Sequence, residues 1–207
     1  MKNIAMLALV ATLGSFGVAH AQDAAAPAAT ATEAPQVRDM TMGSADAPIE
    51  LVEYASYTCP HCADFHTNVF DKLKAEYIDT GKVRFVMREV YFDRYGLWAA
   101  MMARCGGDMR YFGISDILFD TQREWAGSQD PSVVVENLKR IGRQAGMDNA
   151  TIDACMGDAA MAQALVDSYQ KNAEADAITG TPTIIINGEK HSNMSYEDLK
   201  EILDAEL

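Results

Sequence analysis

The pattern that most constrains this chain is Cys59-Pro60-His61-Cys62, set directly between an apolar run and a helical one. Before it, Ile49-Glu50-Leu51-Val52-Glu53-Tyr54 is mostly apolar, is bounded by Pro48, and reads as a strand. After it, Phe65, Val69, Leu73 and Tyr77 recur at roughly helical spacing, and Gly81 ends the run. Lys82 to Met87 then alternates as a second strand. This strand–helix–strand order predicts a parallel pair with a right-handed crossover. Residues i and i+3 share one face of a helix, so the two thiols can close into one disulfide and open again.

The same placement tunes the sulfurs. Cys59 falls at the helix N-terminus, where unpaired N–H groups and the helix dipole favour negative charge. Pro60 suits the first turn because the N–H it lacks has no partner there. His61 can add a positive charge or a donor. All three effects favour the Cys59 thiolate, and stabilising the reduced form makes the disulfide a stronger oxidant. Cys62, one turn further in, is expected to be the buried partner. The competing reading of a Cys-x-x-Cys is half a zinc site. Zinc would need a second ligand pair at short spacing, which Cys105 and Cys155 do not offer. His66 could be a third ligand but reads as a solvated surface residue of the first helix. No metal is expected.

The front of the chain places this chemistry. Residues 1–21 read as an export signal: Lys2, an apolar stretch from Ile4 to Ala19, and the small-x-small site Ala19-His20-Ala21. An uncleaved membrane anchor is the alternative, but the stretch is short and rich in Ala and Gly. Residues 22–36, rich in Ala, Pro and Thr, read as a flexible linker. The mature protein is then expected in an oxidising compartment outside the cytoplasm. Without Lys2 the chain carries 16 basic against 30 acidic residues, a net charge of −14. Such a surface disfavours nucleic acid and anionic lipid as partners. Of the four cysteines, Cys105 and Cys155 remain beside the first pair, and in that compartment they are most simply a second disulfide.

From residue 94 to 175 the pattern turns helical. Segments around Leu97 to Arg104, Tyr111 to Trp125, Pro131 to Gln144, Asn149 to Met156 and Ala159 to Glu174 succeed one another, with no strand-like run between them. Strand character returns at Thr183-Ile184-Ile185-Ile186, followed by the hairpin dipeptide Asn187-Gly188 and a short partner near His191. Ser195 caps a last helix, with Asp198 three residues on, and Leu199, Ile202, Leu203 and Leu207 are expected to face inward. Residues 37–42 could add an edge strand. The class is α/β with an embedded helical subdomain.

Two further positions stay open on the residues alone. Glu53 lies six residues before Cys59; it is either a buried carboxyl able to relay a proton to the dithiol or a solvated side chain, since strand alternation does not choose its face. Pro182, after Gly180-Thr181, is either a trans turn proline, as base rates favour, or a cis one.

Gly43-Ser44-Ala45-Asp46-Ala47-Pro48, Glu53 to Cys62, Gly180-Thr181-Pro182-Thr183 and Asn187-Gly188 together resemble the DsbA-like thiol:disulfide oxidoreductases. The likeness covers residues 37 to 207. It implies a thioredoxin-like fold in two parts, residues 37–93 and 176–207, interrupted by an all-helical insertion at 94–175. It implies that Pro182 is cis and packs beside the active-site pair. Thr181 is implied to pair its backbone with an extended substrate strand. Glu53 takes the position of the family's buried glutamate, with Arg84 as a candidate basic companion. Thr181 departs from the Val of the best-known enteric enzymes. Cys105 and Cys155 are absent from those enzymes, although some relatives bridge their helical domain.

The expected function is a periplasmic oxidase that donates the Cys59–Cys62 disulfide to newly exported proteins. It would be a monomer without cofactor, reoxidised by a quinone-linked membrane partner of the DsbB type. An isomerase or reductase of the same fold, or a non-catalytic peptide-binding module, are the alternatives.

Overall fold

The computed structural model describes residues 35–207. The expected signal and most of the expected linker lie outside the described residues. A five-stranded sheet is built from β1 (Met40–Met42), β2 (Ile49–Ala55), β3 (Val83–Glu89), β4 (Thr183–Ile186) and β5 (Glu189–Ser192), in the order β1-β3-β2-β4-β5. β2 and β3 are parallel, with Ile49 opposite Val83 and Ala55 opposite Glu89, as the strand–helix–strand order predicts. β4 pairs antiparallel with β2, placing Ile184 opposite Glu53. The edge strand near residues 37–42 forms and pairs antiparallel with β3. Asn187 and Gly188 make the final hairpin with positive φ angles of 46° and 88°.

β2 is central and covered on both faces. Only Glu50 is exposed along it. Such strands read as near-continuous apolar runs, so alternation cannot assign faces to them. On one face Leu51, Phe85 and Ile184 join the main core; on the other Val52, Tyr54 and Val86 form a smaller cluster with Tyr169 and Ile178.

The helix after the Cys-x-x-Cys departs from regular spacing. α1 (Pro60–Phe65) runs into a π-helical turn (His66–Phe70), then α2 (Asp71–Leu73), then a second π turn (Lys74–Ile78). Phe65, Val69, Leu73 and Tyr77 are buried as expected, and so are His66, Phe70 and Ile78; His66 shares the face of Cys62, Val69 and Leu73. The reading of His66 as a solvated residue is therefore overturned: it is 6% exposed.

Between β3 and β4 the chain is helical: α3 (Arg94–Cys105), α4 (Asp108–Asp120), α5 (Gln122–Ala126), α6 (Pro131–Gln144), α7 (Asn149–Met156) and α8 (Ala159–Ala175). Asp93, Asp130, Asp148 and Asp158 each cap a helix with a side-chain oxygen. The single helix expected from Tyr111 to Trp125 is broken at Thr121. The Thr121 hydroxyl donates to the Ile117 carbonyl at 2.6 Å, and Trp125 Nε1 donates to the Leu118 carbonyl at 2.7 Å. Side chains thus satisfy what the interrupted ladder releases. α6 crosses α3 closely at Gly142, where a Cβ would lie 2.8 Å from Met102 Sδ.

The last helix, α9 (Tyr196–Ala205), is capped by Ser195 Oγ accepting from the Asp198 N–H. It buries Leu199 and Leu203. Leu207, expected to face inward, lies past the helix end and is 56% exposed.

Candidate active site

β2 delivers the chain to a short loop, and Cys59 becomes the N-cap of α1 with extended backbone (φ −82°, ψ 119°). Its carbonyl accepts from the N–H groups of Cys62 and Ala63 at 3.1 and 3.2 Å, and its own N–H donates to Ser56 O. Pro60 occupies the first turn. Cys59 is half-buried and Cys62 fully buried, both as free thiols.

The two sulfurs differ sharply. The Cys59 thiol is lowered from 9.0 to about 5, chiefly because the Cys62 thiol donates a hydrogen bond to it. Burial opposes this shift, while the Thr181 side chain and the N–H groups of Cys62 and His61 support it. Cys62 is pushed strongly upward by the same hydrogen bond, by burial and by the charge of Glu53. His61 contributes through its backbone; its imidazole is turned to solvent, with Nδ1 4.0 Å from Asp64.

Across the sheet, the Thr181–Pro182 peptide bond is cis. The Cys59 thiol donates to the Thr181 carbonyl with the heavy atoms 3.6 Å apart. The Thr181 hydroxyl is buried and has no hydrogen-bond partner among the described residues in this dithiol state, which leaves it free to donate once a thiolate forms. The Thr181 carbonyl, on the cis Thr181–Pro182 bond just before β4, thus lies beside the half-buried sulfur.

Glu53 is fully buried, and its Oε2 lies 2.9 Å from His66 Nε2. This corrects the expected companion: Arg84 instead pairs with Glu50 on the exposed side of the sheet. Residues 84 and 50 stand opposite each other in the parallel register, which puts the guanidinium on the wrong face for Glu53.

Two groups not read from the sequence hold the loop from the helical side. Gln122 Nε2 donates to the carbonyls of Tyr57 and Cys59, both at 2.9 Å. Asp93 Oδ2 accepts from Thr58 Oγ1 at 2.7 Å while its Oδ1 caps α3. Neither belongs to a local motif. The only signal was the capping position of Asp93 before a helical run.

Cys105, in the last turn of α3, is bonded to Cys155 of α7, with Cα atoms 5.7 Å apart. Arg104 turns away to make a bidentate contact with buried Glu89 at 2.6 and 2.8 Å. Glu89 also accepts from Tyr111, which accepts in turn from Tyr57 of the active-site loop.

A thioredoxin family model matches residues 36–205. A putative protein-disulfide oxidoreductase of Rickettsia bellii is 34% identical over 170 residues, covering 82% of this chain and 64% of the relative. The chain therefore spans just under two thirds of that relative's length. Disulfide bond formation protein D of Bacillus subtilis is 25% identical over 177 residues, covering 80% of this chain and 76% of that protein. Among solved structures, Wolbachia pipientis α-DsbA1 superposes with a TM-score of 0.76 at 29% identity, over 83% of this chain and 92% of that one. Oxidised BdbD of Bacillus subtilis shares the fold at a TM-score of 0.72 and 23% identity, over 81% of this chain and 92% of that one. With its thioredoxin-like sheet, helical insertion and Cys-Pro-His-Cys turn, the chain belongs to the thioredoxin family and is similar to its DsbA-like members.

Proposed function

We propose that this protein is an exported oxidase that donates the Cys59–Cys62 disulfide to newly secreted polypeptides in the periplasm. The observation that carries this reading is the asymmetry of the dithiol, with Cys59 held at about 5 and Cys62 pushed far upward. At pH 7 a thiol ionising that low stabilises the reduced form by about 2 kcal/mol after allowance for solvent screening at the half-exposed sulfur. That corresponds to about 40 mV toward the oxidising side for a two-electron couple.

A substrate thiolate attacks Cys59 Sγ, and the electron pair of the broken bond goes to Cys62, which takes up a proton. The second substrate thiolate then attacks the substrate sulfur of the mixed disulfide. Cys59 leaves as a thiolate, and the protein is left reduced. Pro182 and the Thr181 carbonyl offer an extended peptide a docking edge beside the sulfur. Glu53, buried and close enough to raise Cys62, is the group that exchanges a proton with it. Residues 1–21 serve as a cleaved signal and 22–36 as a tether. A quinone-linked membrane oxidase of the DsbB type restores the disulfide, and the protein acts as a monomer.

The deciding measurement is the equilibrium of the Cys59–Cys62 couple against glutathione. A potential as low as that of thioredoxin would place the protein among reductases and sink the reading. Oxidation of a reduced two-cysteine peptide should be lost in Cys59→Ser.

A further inference from the structure

Glu53 and His66 make a buried polar pair in otherwise apolar surroundings. Glu53 comes from the centre of β2, and His66 opens the π turn that follows α1. Their inner atoms, Oε2 and Nε2, are 2.9 Å apart. Their outer atoms, Glu53 Oε1 and His66 Nδ1, are both buried and have no hydrogen-bond partner among the described residues. Leaving a buried polar atom unpaired costs about 1–3 kcal/mol. Two such atoms at the opposite ends of one contact are a poor structural staple. They are what a proton relay needs: one end to give, one end to receive.

The imidazole is fixed on its other sides by aromatic rings. Phe119 of α4 stacks on it with centroids 3.9 Å apart and planes inclined by 16°. Phe70 lies 4.7 Å away and Phe65 presents an edge at 5.9 Å. Two further titratable groups are coupled to the pair. Cys62, on α1 one turn before His66, feels the charge of Glu53. Glu53 itself faces His66 from β2. Asp116, exposed on α4 and three residues before Phe119, feels the charge of His66. Glu53 and His66 are thus in contact, with Glu53 coupled to Cys62 on one side and His66 coupled to the exposed Asp116 on the other.

We infer that His66 supplies, through Glu53, the proton that the Cys62 sulfur takes up when the disulfide opens. The electron pair of the attacking thiolate forms the new bond to Cys59 Sγ, and the pair of the broken Cys59–Cys62 bond moves to Cys62 Sγ. Glu53 gives that sulfur a proton from Oε1 and is refilled at Oε2 from His66 Nε2. His66 regains a proton at Nδ1 from water. On reoxidation the proton runs outward by the same route. His66 acts through Glu53 and never meets the substrate. The inference rests on the thiol–disulfide exchange proposed above but not on its direction.

The test is single-turnover opening of the oxidised protein by a one-cysteine peptide, followed by stopped flow across neutral pH. His66→Gln can still donate to Glu53 but cannot pass a proton on. It should slow opening by about 10²-fold and change the pH profile, while the Cys59 titration in the reduced protein stays at about 5. His66→Ala should be slow and regain speed with added imidazole, which a merely structural role would not permit. In the unmodified protein, opening at matched thiolate concentration should be slower in heavy water. If His66→Gln opens at the wild-type rate with the wild-type profile, the relay is wrong. If that variant does not fold, identical rates in ordinary and heavy water overturn it instead. A thioredoxin-like potential would sink the oxidase assignment and leave the relay standing; an unchanged His66→Gln rate would do the reverse.

Discussion

Gln122 holds Cys59: the side-chain amide of the first residue of α5 donates to the carbonyl oxygen of the nucleophile at 2.9 Å, and to that of Tyr57 at the same distance. The insertion therefore grips the backbone of the turn that presents the sulfur. The carbonyl of Cys59 is also the one that receives the first N–H groups of α1. A shift in this peptide plane alters how those N–H groups address the sulfur.

Gln122→Ala should thus act twice. It takes from the Tyr57 carbonyl its side-chain donor, at about 1–3 kcal/mol if that oxygen stays dry, while the Cys59 carbonyl keeps the N–H groups of Cys62 and Ala63; and it lets the Cys59 thiol drift upward from about 5. Thermal melting and ultraviolet titration of the reduced protein read the two effects separately.

Cys62→Ala removes the largest influence on the nucleophile, the hydrogen bond from the buried thiol. The Cys59 thiol of this variant should ionise well above the wild-type value of about 5. An unchanged titration would mean that Thr181 and the helix N-terminus hold the thiolate without Cys62.

The couple should change its pH dependence where Cys59 titrates. Reduction takes up two protons below about pH 5 and one above it. The potential should fall by about 59 mV per pH unit on the acid side and about 30 mV on the other. Stability follows the same group. Cys59 is depressed in the folded, reduced protein, relative to about 8.5 in an unfolded chain. Its stabilisation is full above the unfolded value and is lost as pH falls through about 5. The melting advantage of the reduced over the oxidised protein should shrink in that window.

Cys105→Ser should lower thermal stability with little effect on exchange at Cys59. The bridge closes a separation of 50 residues, which the chain-entropy model values at about 4 kcal/mol. Loss of turnover with unchanged melting would assign the second pair a redox role instead.

Much of this architecture was legible in the chain because it is local. The turn at Cys59, the parallel neighbours on either side of it, and the Asn187-Gly188 hairpin each follow from a few consecutive residues. The approach of Thr181 to the sulfur and the cis bond at Pro182 came only from resemblance, since nothing local brings β4 beside β2. His66 was misread although its position, four residues after Cys62 and three before Val69, puts it on the buried face of a regular helix; its polar type was read as solvated and the spacing was passed over. Glu53 could not be assigned a face on a strand buried on both. Gln122 was invisible for a different reason: its partners lie 65 and 63 residues away.

Phe119 belongs to the insertion, yet the ring it covers belongs to the helix of the dithiol. Cutting residues 94–175 out to recover a minimal thioredoxin would strip the roof from His66 and let water flood in upon Glu53. What looks like an added domain is also the waterproofing of the chamber in which the second sulfur works.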